Sequence, residues 1–113
     1  INRDGSDVTG LENSERRKII MAFKLIVQVG NDIRRQFRKT QSGEDVEDGE
    51  EVSFISSTRE TIECAKEVDY YHDRFGSGED LAAFALRNVI IPKISKPAER
   101  TYITTLFNQG IKT

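Results

Sequence analysis

Between Asn13 and Lys39, apolar or small residues recur at Ile19, Phe23, Ile26, Gly30, Ile33 and Phe37, at spacings of three and four. That is the period of one face of an α-helix, sustained over several turns. The chain is therefore expected to build around one long helix, capped by Asn13 or Ser14 and running to about Lys39. Apolar residues are dense from Ile19 to Val29, which predicts cover on more than one side there. The half beginning at Asn31 reads as amphipathic. Gly30 suits either a close helix crossing or a tolerated helical glycine.

Three shorter helices are expected to follow. The second runs from about Thr58 to Asp73 with Ile62, Ala65, Val68 and His72 on one face, and Phe75 after it. Gly76-Ser77-Gly78 breaks the chain as a hinge, and Ser77 with Asp80 offers a cap for a third helix through Leu81, Phe84, Ala85 and Val89. Pro92 ends or kinks that helix. Ser95-Lys96-Pro97 opens a fourth, carrying Tyr102, Ile103, Leu106 and Phe107 until Gly110 stops it. Val52 and Phe54-Ile55 form a short extended approach to the second helix, either one strand or an irregular segment. The fold class is thus all-α, a small bundle of about four helices. Residues 1–12 read as a linker, and residues 13–113 as the helical domain with an acidic loop at 41–51.

At 113 residues the chain has room for one modest core and little for a complete substrate cleft. Charged residues make up 32% of it, yet the formal net charge is only -2, so any electrostatic function must be local. One cysteine excludes an internal disulfide and suits a reducing compartment; no apolar run approaches the roughly 20 residues that span a bilayer. A cytoplasmic protein is the expectation. The opening at Ile1 rather than methionine, with no signal-peptide pattern, suggests a piece of a longer protein.

The segment from Ser57 to Ala65, S-T-R-E-T-I-E-C-A, carries the most specific chemistry. Ser57 and Glu60 form an S-x-x-E capping box, which makes Ser57 the N-cap and places Thr58 and Arg59 in the first turn. A cation there opposes the helix dipole by roughly 0.3–1 kcal/mol, whereas the same amides together with an arginine make a phosphate clamp. The alternative is a solvated arginine offset by Glu60 and Glu63.

This segment resembles the S-P-R signature in the C-terminal lid of AAA+ ATPases of the MoxR and dynein-related type, notably the cobaltochelatase ATPase subunit, where it runs roughly S-P-R-T-V-I-T-W-A. Ser57, Arg59, Ile62 and Ala65 match in register, while Thr58 replaces the usual proline and Cys64 the usual tryptophan. Val29 to Arg34 is similar to the end of the preceding lid helix, and Ala82 to Ile91 to the following one. The resemblance implies that Arg59 is the second sensor, reaching from the lid to ATP, with Ser57 and Thr58 beside it. It implies that ATP and magnesium are held by a core subdomain outside this chain. It also implies a homo-oligomeric ring and a partner with a von Willebrand-type metal-dependent adhesion domain. The chain has no G-x-x-x-x-G-K-[ST], so it is not expected to hydrolyse ATP unaided.

Other readings rest on other residues. A stand-alone helical interaction module would leave Arg59 an ordinary surface residue and bind another protein through the acidic loop or the basic helix end. Arg34, Arg35, Arg38 and Lys39 suit the negative end of the first helix; as a nucleic-acid contact they are a weaker case, with only Phe37 available for stacking. Glu44, Asp45, Glu47, Asp48, Glu50 and Glu51 lack the calcium-loop pattern and read as a solvated loop. His72 and Cys64 form neither a closed zinc site nor a catalytic set, so structural roles are expected for both.

Overall fold

Among the described residues four α-helices enclose one core: α1 (Asn13–Ser42), α2 (Thr58–Tyr71), α3 (Gly78–Val89) and α4 (Pro97–Lys112), with 3-10 turns at His72–Arg74 and Ile91–Lys93. The structure, a computed structural model, describes residues 13–43, 46 and 49–112. The expected linker at 1–12 and the acidic residues Glu44, Asp45, Glu47 and Asp48 lie outside the described residues. Among the described residues there is no strand; the segment from Glu50 to Ser57 is irregular.

α1 and α3 pack on each other, and each also touches both α2 and α4. The central face of α1 buries Ala22, Leu25, Ile26, Val29, Gly30 and Ile33. From α3 come Leu81, Ala82, Ala85, Leu86 and Val89; from α4, Ile103 and Phe107. Two glycines set the helix approaches. A Cβ on Gly78 would lie 2.6 Å from the Met21 side chain and 2.8 Å from the Lys18 carbonyl, so α3 can start against α1 only without one. A Cβ on Gly110 would lie 2.9 Å from Val29 Cγ2.

Several expectations are corrected. α1 continues to Ser42, taking Gln41 and Ser42 out of the expected loop. Its dense apolar half is not covered on a second side: Ile20, Met21, Phe23 and Val27 are exposed, at 52, 43, 38 and 46%. Gly30 faces Ser56 rather than another helix. Gly110 does not stop α4; the helix runs on to Lys112, because this glycine serves the packing on Val29 rather than a C-cap. The Gly76-Ser77-Gly78 break does cap α3, Ser77 Oγ accepting the Asp80 N–H at 3.1 Å, but Gly78 is a packing glycine rather than a hinge.

Candidate functional site

The approach to α2 is held by two helices, α1 and α4. Gln36 Nε2 donates to the Glu50 carbonyl at 2.9 Å, and the Val52 N–H donates to Thr40 Oγ1 at 3.0 Å. Buried Glu99, in the first turn of α4, accepts the backbone N–H groups of Ser53 and Phe54 at 3.0 and 2.8 Å and the Ser53 hydroxyl at 2.7 Å. Arg34 donates from Nη1 to the Ser56 carbonyl at 3.0 Å. These bonds replace the ladder that a strand would have supplied for the segment's backbone.

The segment delivers Ser57 to the N-cap in extended conformation, and both halves of the capping box are present. Ser57 Oγ accepts the Arg59 N–H at 3.2 Å, and Glu60 Oε1 accepts the Ser57 N–H at 2.8 Å. Such a cap contributes about 1 kcal/mol. It also takes up amides at the helix start, so an anion there would rely chiefly on the Arg59 guanidinium. Glu60 is itself buried, its second oxygen accepting from Lys93 Nζ at 3.0 Å; Lys93 also pairs with Glu63. Burial alone would raise the Glu60 carboxyl, but the Ser57 hydroxyl and N–H and the Lys93 ammonium outweigh it and bring it down to about 2. Lys93 is raised in turn, first by its bond to Glu63.

Arg59 is thereby left apart. The two carboxylates expected to offset it, Glu60 and Glu63, both pair with Lys93, and among the described residues the Arg59 guanidinium has no ion pair. Thr58 and Arg59 are exposed, one and two residues beyond the cap.

The buried face of α2 differs from the expected one. Because Glu60 must turn inward to reach Ser57 and Lys93, Cys64 and Val68 follow it into the core at i+4 and i+8. Ile62 is 51% exposed and shares its surface with Arg59 and Lys66, while Ile55 in the approach segment is 58% exposed. Cys64 packs α2 on α3 with Sγ 3.9 Å from the Ala85 carbonyl. Burial pushes its thiol up to about 12, so it is no nucleophile. His72 is turned the other way, its Nδ1 bonded to Glu15, which also pairs with Lys18 at 2.9 Å. His72 and Lys18 hold the Glu15 carboxyl below its ordinary value.

The sequence reading missed Lys93, Glu99 and Arg34 as the residues that fix Ser57 and hence Arg59. The helix-end arginines also separate by role: Arg34 anchors Ser56, and Arg35 pairs with Asp32 at 2.9 Å. Among the described residues no group of three His, Cys, Asp or Glu side chains could hold a metal ion, and no helix is long and apolar enough to cross a membrane. The chain matches no model of a known protein family, no curated protein and no solved structure.

Proposed function

We propose that this chain is the helical lid of an AAA+ ATPase of the MoxR and dynein-related type, with Arg59 as its sensor arginine. The observation that carries this reading is the isolation of Arg59. An exposed arginine in the first turn of α2, bonded to the capping box through its backbone and without a guanidinium ion pair among the described residues, suits an anion brought from elsewhere. The exposed Ile62, three residues on along the same face of α2, suits a surface that another subdomain covers. In this reading ATP and magnesium belong to a core subdomain outside this chain, and Arg59 stabilises negative charge on the phosphates from the lid side. Ser57 and Thr58 support it: Ser57 fixes the start of α2, and Thr58 occupies the first turn where no bulk blocks approach. Arg34 and Glu99 tie the segment that enters α2 to α1 and α4, which in this reading links the start of α2 to both helices. The ring assembly and the metal-dependent adhesion partner follow from the family resemblance in the same proposal, and the cytoplasmic location in it rests on the single cysteine.

A second reading, an independent helical interaction module, is favoured by the exposed apolar residues of α1, which a lid does not require. The coding region upstream of Ile1 separates the two. The lid reading requires G-x-x-x-x-G-K-[ST] after a strand, roughly one ATPase subdomain before Ser57. A start codon just before Ile1 would overturn it in favour of the module.

A further inference from the structure

The outer face of α1, opposite the core, combines two features. Ile20, Phe23 and Val27 follow one another at spacings of three and four, each 38–52% exposed, with Met21 beside them. Every exposed charged residue of this helix is a cation: Arg16, Arg17, Lys24, Arg35, Arg38 and Lys39. The acidic residues of α1 are half-buried and paired, Glu15 with His72 and Lys18, and Asp32 with Arg35. A surface groove of about 470 Å³ runs along this face, lined by Phe23, Lys24, Val27 and Gln28 and by the Arg35–Asp32 ion pair, which leaves Lys24 as its unpaired charge among the described residues. An apolar seam two turns long, framed by positive charge on one helix, has the pattern of half of a helix-on-helix interface.

We propose that this face docks an acidic amphipathic helix of a partner protein, its apolar stripe seated on Ile20, Phe23 and Val27 and its Asp or Glu flanks against Lys24 and the arginines. Charge complementarity selects this occupant. A second copy would bring cations against cations, which disfavours pairing of two such faces. A lipid surface calls for a longer apolar face, whereas here Arg16, Asn31 and Arg38 continue the line of the stripe above and below. Nucleic acid calls for stacking side chains, and Phe23 is the only aromatic in the exposed stripe. The proposal is independent of Arg59, which lies on a different helix.

The test uses the full chain and a labelled synthetic helix whose leucines repeat at spacings of three and four between glutamate flanks, followed by fluorescence anisotropy. A second peptide with the same leucines and lysine flanks is the comparison. The acidic helix should bind and the basic one should not. Phe23→Glu with Val27→Glu should weaken binding roughly tenfold or more. Lys24→Glu with Arg38→Glu, at exposed positions that leave the fold intact by circular dichroism, should shift preference toward the lysine-flanked peptide. Equal binding of both peptides, or no change with the charge reversal, would overturn the proposal. So would recruitment to vesicles of equal phosphatidylserine and phosphatidylcholine without peptide binding, or self-association through Phe23 and Val27 in its place.

Discussion

Lys93 Nζ, in the turn that follows α3, lies 3.0 Å from Glu60 Oε2, while the other oxygen of that carboxylate accepts the Ser57 N–H at 2.8 Å. One buried side chain thus closes the cap of α2 and ties it to the end of α3. This ties the backbone position of Arg59 to tertiary structure as well as to the local cap.

That arrangement makes stability depend on acid. The Glu60 carboxyl ionises more readily in the folded protein, at about 2, than in the unfolded chain, near 4.5. Its stabilisation is therefore complete above the unfolded value and is lost as pH falls from there toward the folded one. Urea denaturation of the parent and of Glu60→Gln should differ by on the order of 2 kcal/mol near neutral pH, and the gap should narrow below about pH 4. A constant gap would remove the charge from the account.

Gly78→Ala should destabilise the protein by about 1–3 kcal/mol, since the new methyl meets the Met21 side chain at 2.6 Å and the backbone of Lys18 at 2.8 Å. Gly76→Ala is the control, with nothing within 4 Å of its Cβ, and should stay within about 0.5 kcal/mol. Chemical denaturation of both variants decides whether the α1–α3 approach is as close as described.

What the sequence could show depends on how far apart the partners lie. The capping box is an i, i+3 pattern and was legible at once, as were the helix starts at Thr58 and Pro97. The anchors of Arg59 were not: Glu99 is 46 residues from Ser53, and Lys93 is 33 from Glu60, with no local pattern to join them. Ile62 illustrates a different failure. Val68 is buried as expected, but periodicity joins it either to Ile62 and Ala65 or to Cys64, and only the inward turn of Glu60 decides between them. Gly110 shows the same limit, because a helix-ending glycine and a close-packing glycine read alike in sequence. The apolar density of α1 was visible, but not that its outer side is bare.

Cys64 offers a probe of native packing. It is 1% exposed with its thiol pushed up by burial, so a thiol reagent near pH 8 should leave the folded protein unlabelled and label it fully in denaturant. Rapid labelling without denaturant would mean that α2 does not sit on α3 as described.

Steady-state ATP turnover by the ATPase that the lid reading requires, with and without Arg59→Ala, tests the central claim most directly. Arg59 is exposed and bonds only through its backbone to the cap, so the substitution should leave the melting temperature unchanged. If Arg59 reaches the phosphates from the lid, turnover should fall by about tenfold or more. Turnover equal to that of the parent, or a parent that hydrolyses no ATP, would contradict the assignment.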